Sequence, residues 1–293
     1  MRETDIHDFW SAHPCGDQLF GAPAPAPAGS ERDDYDSFFR RYDEAKYRLE
    51  SHIPGCLDSL DLSGRRVLEI GLGQGAEAEQ LIRRGARWTG VDLTETAVAR
   101  TRLRLTMREL PFEGLHQASV LDLPFPDRSF DVVFSHGVLH HVPDVHGAQR
   151  EIHRVLDPNG ELVVMLYARW SLNYLVSIGL VRRAALLAAY PPARLGLLGR
   201  SPTLLNTHLE NARQVGLMRY LCMSNFLHRN TDGPRNPYSR VYDIPRVRRD
   251  FPDFAVRGSE KHFMHAPPLP VHGLGGGKAL GWHLWVRMAP RLF

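Results

Sequence analysis

The chain is 293 residues long and carries 36 Lys+Arg against 33 Asp+Glu, a net charge of +3. So even a balance excludes the concentrated basic face of a dedicated nucleic-acid binder. With 43% apolar and 24% charged residues, wholesale disorder is excluded too, and a soluble globule with a buried core is expected.

Residues 1–10, MRETDIHDFW, lack an apolar h-region, so no signal peptide is expected. Residues 1–30 read as an N-terminal arm ending in the Pro/Ala spacer GAPAPAPAGS (21–30), polyproline in character. Residues 31–60 read as a cap helix, with Tyr35, Phe38, Phe39, Tyr42 and Leu49 at helical spacing and Pro54-Gly55 ending it. Over 61–167 short apolar runs (67–70, 88–92, 130–135, 161–167) alternate with helical segments. That is the pattern of βαβ units, hence an α/β fold with a parallel sheet covered on both faces. Residues 168–242 read as a helical insert. Its most apolar stretch, Trp170 to Ala193, is broken by Arg182-Arg183 and Pro191-Pro192, short of the roughly 20 uninterrupted apolar residues of a membrane span. Residues 243–293 give a short helix near PRVRRDF and two β-like runs, 254–263 and 281–288. Cys15, Cys56 and Cys222 form neither a disulfide framework nor a CxxC metal clip, which fits a reducing, cytoplasmic compartment.

The strongest local feature is VLEIGLGQG, residues 67–75. A strand ends in Glu69, and Gly71, Gly73 and Gly75 follow at alternate positions before a helix. Such glycines admit positive φ and let the backbone approach a ligand at the carboxyl ends of parallel strands. The string also satisfies GxGxxG/A, and Asp92, 21 residues past Gly71, stands where a ribose-binding carboxylate belongs for either a methyl donor or a dinucleotide.

Four segments in order resemble the class I S-adenosylmethionine (SAM)-dependent methyltransferases, in the branch similar to the ubiquinone/menaquinone-biosynthesis (type 11) enzymes. They are VLEIGLGQG, GVDLTETAV (90–98), LPFPDRSFDVVFSHGVLHHVPD (123–144) and EIHRVLDPNGELVVMLY (151–167). The resemblance implies a Rossmann-like, mostly parallel seven-stranded sheet whose last strand is antiparallel, with SAM as cofactor and S-adenosylhomocysteine as product. By position it implies that Gly71, Leu72, Gly73 and Gly75 line the cofactor and that Glu69 braces the loop. Asp92 would take the ribose hydroxyls and Leu93 would pack near the adenine. Ser119 and Val120 take the adenine edge, where the family usually has Asp-Ala, so the serine brings no charge and Asp122 is a candidate to share the role. Ser135 and His136 would meet the methionine end. DPNG (157–160) replaces the usual KPGG turn, and Asn159 is expected to take the left-handed conformation. Each residue also has a plainer reading: Glu69 as a cap for nearby amides, Asp92 as a helix N-cap, Ser119 as an ordinary strand-end serine.

SAM carries its methyl on a sulfonium, so transfer by direct SN2 displacement needs alignment and exclusion of water, with a base only if the acceptor loses a proton. His140 is the favoured acid/base candidate among His136, His140 and His141, and Tyr167 is a candidate to bind the acceptor. A His-rich metal centre has no HExxH or paired CxxC motif behind it, so no metal is expected. Arg182-Arg183 and Arg246, Arg248 and Arg249 read as solvated helix faces, the minority reading being a phosphate site. The expected substrate is a small, lipophilic or aromatic molecule selected beneath the 168–242 insert, which serves equally well as an oligomer interface. No nucleobase-amine motif of the Asp/Asn-Pro-Pro-Tyr/Phe kind is present, which points away from nucleic acid. The alternatives are a catalytically silent SAM-fold scaffold, a methyltransferase acting on RNA or protein, and a nicotinamide-dependent oxidoreductase.

Overall fold

Alternation of side chains along each strand gives the sheet two buried faces. On the first strand, β1 (Arg66–Ile70), Leu68 and Ile70 enter one core while Val67 and Glu69 point to the other. The computed structural model describes residues 1–17, 31–197 and 204–291, so the spacer expected over 21–30 lies outside the described residues.

Six further strands complete the sheet: β2 (Arg87–Asp92), β3 (Gly114–Gln117), β4 (Phe130–His136), β5 (Leu156–Tyr167), β6 (Phe254–His262) and β7 (His283–Pro290). Their order is β3-β2-β1-β4-β5-β7-β6, with β7 antiparallel to both neighbours and the other pairings parallel. This is the Rossmann-like sheet that the resemblance implied. β3 is a finding that the sequence reading lacked: GLHQ is too short and too polar to show an apolar run.

Helices cover both faces. On one side α3 (His52–Asp58), α4 (Ala76–Arg83) and α5 (Glu95–Met107) bury Ile53, Leu57, Leu81 and Leu105 against Trp88, Phe134, Met165 and Trp285. On the other, α6 (Val145–Val155) and α11 (Ile244–Asp250) bury Ile152, Val155, Val247 and Phe251. Ahead of them stand α1 (Glu3–Ala12) and α2 (Glu31–Leu49). The arm, to which the sequence reading assigned no element, is thus helical over Glu3–Ala12, and it buries Ile6 and Phe9. Tyr35, Phe38 and Phe39 of α2 pack on Leu103 and Met107 of α5, whereas Leu49 is exposed. Pro54-Gly55 does not end a helix but lies within α3. Pro54 falls in that helix's first turn, where its missing N–H has no intrahelical partner to lose.

Between β5 and α11 the insert comprises a π-helical segment (Asn173–Arg182), α7 (Arg183–Arg194), α8 (Leu204–Val215), α9 (Leu217–Leu221) and α10 (Met223–His228). It has its own core of Ile178, Leu186, Leu209, Tyr220 and Phe226, closed by Trp282 and Tyr167. Arg182 is not on a solvated face: it donates to the carbonyls of Pro267 at 3.0 Å and Asn230 at 2.8 Å. Asn159 is not left-handed either; positive φ among the described non-glycine residues occurs at Glu109, Arg128 and Phe263. The DPNG residues are drawn into the extended run of β5. No helix among the described residues is long and apolar enough to cross a membrane.

Candidate active site

The glycine turn sits where β1 meets α4, and its geometry fits the residue types. Gly71, Gly73 and Gly75 all have positive φ. A Cβ on Gly71 would stand 2.1 Å from Val138 Cγ2, so only glycine lets β1 pass beneath the segment after β4. Gly75 (φ +73°) would bring a Cβ within 3.2 Å of the Thr101 backbone on α5. Gly75→Ala is expected to cost about 1–2 kcal/mol, the usual penalty for a side chain in left-handed backbone, measured by urea unfolding. A loss below about 0.5 kcal/mol would show that the turn relaxes freely.

Asp92 at the tip of β2 closes the turn. Its Oδ2 accepts from Leu72 N at 2.7 Å and its Oδ1 from Thr94 N and Oγ1, both at 2.8 Å. Thr94, not Asp92, is the N-cap of α5. A carboxylate has about four acceptor positions, so Asp92 retains capacity toward a ribose diol. Leu93, next to it, is half-buried.

The remaining sequence-derived residues divide. Glu69 is buried, accepts from Trp88 Nε1 at 2.8 Å, and is pushed well above the usual carboxyl range by burial. It therefore fastens β2 behind the turn rather than capping amides. Ser135 is buried and donates to Ile70 O at 3.0 Å, joining β4 to β1. Val120 lies in the core beside Leu123. Ser119 Oγ donates to Glu3 Oε2 at 2.6 Å, and Asp122 is exposed. His136 Nδ1 stands 3.6 Å from Glu77 Oε1, and burial takes the imidazole down to about 4 despite that neighbour. Glu77 is held at about 2: burial opposes its ionisation, but Lys46 Nζ at 2.6 Å and His136 outweigh it.

His140 is completely buried, with both ring nitrogens lacking a hydrogen-bond partner. Burial, then His141 and His136, drives it well below its ordinary value, so it is neutral. Its ring lies 3.8 Å from that of Tyr167, which stacks on Trp282 at 4.4 Å. The hydroxyl of Tyr167 donates to Asp232 Oδ1 at 2.8 Å, and Asp232 Oδ2 is 3.3 Å from His141 Nε2. His141 Nδ1 in turn meets Tyr238 O at 2.7 Å. Tyr167, Asp232 and His141 are thus one polar network at the carboxyl edge of the sheet. Asp232 escaped the sequence reading because it lies in a turn-rich stretch 65 residues from its tyrosine partner.

The N-terminal arm escaped it as well. Asp17 pairs with Arg100 and accepts from Gln74 Nε2 at 2.9 Å, while Cys15 O accepts from the same amide at 2.6 Å. Trp10 meets His141 edge-on at 5.3 Å. The arm therefore lies across the glycine turn and the polar network together. His208 and His228 are held inside the insert by Tyr220 OH and Ser239 O.

Residues 68–164 match the family model of a methyltransferase domain. The chain is 34% identical over 128 residues to a ubiquinone biosynthesis O-methyltransferase of Alkalilimnicola ehrlichii, covering 43% of this chain and 51% of that one. It is also 34% identical over 124 residues to the 27-O-demethylrifamycin SV methyltransferase of Amycolatopsis mediterranei, covering 42% and 45%. The chain thus spans about half the length of these curated relatives. A SAM-dependent methyltransferase structure from Aquifex aeolicus superposes with TM-score 0.52 at 13% identity, over 87% of this chain and 98% of that one. Glycine turn, Asp92, strand order and family match agree: residues 68–164 are a class I SAM-dependent methyltransferase domain of type 11.

Proposed function

We propose that the protein transfers a methyl group from SAM, by direct displacement, to a small lipophilic or aromatic acceptor. One observation carries the reading: Asp92 locks the glycine turn and keeps free acceptor capacity, and the arm that crosses this turn also meets the Tyr167–Asp232–His141 network. The residues fit the donor: at Gly73 only Cys15 Cβ of the arm, at 3.9 Å, stands near the place of a side chain, so a ligand there would lie between the turn and the arm. When bound, SAM supplies an electrophilic methyl on a sulfonium. The chain's own contribution is placement and water exclusion. Gly71, Leu72, Gly73, Gly75 and Asp92 hold the donor, and Leu93 and Val120 flank its adenine. Trp282, Tyr167 and the neutral His140 form an aromatic wall suited to an apolar acceptor. Asp232, held ionised against burial chiefly by His141, accepts from the Tyr167 hydroxyl and holds it in place. The similarity to a ubiquinone biosynthesis O-methyltransferase and to a 27-O-demethylrifamycin SV methyltransferase supports an acceptor of this kind.

Ser119 lacks the charge expected at the adenine edge, and Glu3 of the arm brings a carboxylate to it. On this reading Glu3→Gln weakens S-adenosylhomocysteine binding roughly fivefold, the worth of about one hydrogen-bond's charge. Calorimetric titration of parent and variant reads it; equal affinities would leave Glu3 as a tether for the arm only.

The function itself is tested by titrating with S-adenosylhomocysteine and with NAD, then following methyl transfer by mass spectrometry over a panel of phenols, quinols and fatty acids. Saturable S-adenosylhomocysteine binding and a 14-dalton gain on a panel member are expected. Binding of NAD instead, or donor binding with no transfer to any small molecule, would overturn the reading.

A further inference from the structure

One cluster of titratable groups is left without a role by the methyl-transfer reading. On the sheet face covered by α3 the side chains of His136 and His283 meet, with ring centroids 5.7 Å apart. They arrive from the end of β4 and the start of β7, the two strands that flank β5. Glu50, at the junction of α2 and α3, reaches the same point. One nitrogen of each histidine and one carboxylate oxygen of Glu50 lie within 4.8 Å of one another.

We propose that Glu50, His136 and His283 form a binding site for a divalent transition-metal ion. Three observations converge. First, Glu50 Oε2 and His136 Nε2 are buried with no hydrogen-bond partner, although the His136 side chain is only 7% exposed. Buried polar atoms in a native fold are normally satisfied, so two facing orphans mark a missing third party. Second, the other nitrogen of His136 faces the Glu77 carboxylate, which Lys46 fixes in place. A carboxylate behind the ring is how a metal-ligating histidine is ordinarily oriented. Third, His283 Nδ1 meets His52 Nε2 at 3.3 Å, a contact that orients the ring and leaves its other nitrogen as the donor.

Two imidazoles and one carboxylate suit zinc, cobalt(II) or iron(II) and disfavour magnesium or calcium, which prefer oxygen alone. Three protein donors leave a tetrahedral ion one position for an outside ligand. Lys46, a cation close by, is neutralised by Glu77. The nearby group Cys56, Glu260 and His262 does not carry the same argument. There Cys56 Sγ and His262 Nε2 are each directed at Glu260, at 3.9 and 3.2 Å, and Glu260 is exposed. One further point rests on the proposed methyl transfer: His136 directly follows Ser135, which is bonded to the strand leading into the glycine turn, so the ion's free position would take an oxygen of the acceptor.

The test uses the whole chain and Co²⁺ alone, read by its visible d–d absorption, with Zn²⁺ as displacing ion. Expected are saturation at one equivalent and loss of the signal to Zn²⁺. Affinity should fall about 100-fold or more in both Glu50→Gln and His136→Gln, and stay unchanged in His265→Gln. Thermal melts establish that the variants fold, and if His136→Gln does not, Glu50→Gln decides. Absence of a saturable signal, a signal indifferent to both substitutions, or one abolished by His265→Gln would overturn the site. Parallel titration with S-adenosylhomocysteine keeps the two readings apart: donor binding without Co²⁺ binding removes the metal site alone, and Co²⁺ binding without donor binding removes the methyl-transfer reading alone.

Discussion

Replacing Arg104 by methionine is expected to destabilise the fold by about 3–5 kcal/mol, the usual result of removing one member of a buried ionic group. Arg104 projects from α5 and is completely buried. Its Nε donates to Glu79 Oε2 of α4 at 2.9 Å, its guanidinium pairs with Asp43 of α2, and its Nη1 reaches Gln74 O at 3.4 Å. The guanidinium also stands 5.1 Å from the centroid of Phe39. Methionine fills the volume but leaves both carboxylates behind. Glu79 keeps Arg83, at 2.8 Å, whereas Arg104 is the guanidinium that offsets the burial of Asp43, whose carboxyl burial already pushes up. The loss should therefore fall on the attachment of α2. Urea unfolding of parent and variant measures it, and a difference under about 1 kcal/mol would mean that Asp43 finds water instead.

Asp92→Ala is expected to weaken S-adenosylhomocysteine binding by at least about 100-fold. With three of its acceptor positions taken, Asp92 has one for the ribose, and a hydrogen bond to a charged group contributes about 1.5–3 kcal/mol, roughly 10- to 100-fold by itself. A second effect adds to it. Leu72 N and Thr94 would lose their shared acceptor, so the glycine turn would no longer be pinned to β2. Calorimetry on Asp92→Ala and Asp92→Asn separates the two, since asparagine can still accept from Leu72 N without the charge. Affinity untouched by either change would remove the basis for placing the donor here.

What the sequence made legible was whatever is local. VLEI, WTGVD, FDVVFS and ELVVMLY read as strands because runs buried on both faces are apolar throughout, and the glycines of 71–75 are required by backbone geometry that no other residue meets. β3 was illegible because its four residues at the sheet edge include one buried apolar side chain, Leu115. The arm was illegible for another reason. Its hold on the site consists of Glu3 to Ser119 and Asp17 to Arg100 and Gln74, contacts spanning 57 to 116 residues that no local period records. His52, His136 and His283 likewise share nothing in spacing; strand order gathers the last two and the helix α3 brings His52 to them. The acid/base role given to His140 by position is qualified by its complete burial, while the polar contacts belong to its neighbour His141, a candidate beside it in the sequence, and to Asp232, from a stretch whose composition announces only turns.

The reversed direction of β7 has a consequence for how such a pocket diversifies. A parallel strand in its place would start at the far side of the sheet, but β7 starts beside Tyr167, at its pairing with His283. The connection from Phe263 to Trp282 must therefore arrive at the carboxyl edge of the sheet, and it delivers Trp282 against Tyr167 and His283 against Phe263. Lengthening or trimming that connection would resculpt the chamber while leaving every ladder of the seven strands in step, so selectivity can drift there without a toll on the scaffold.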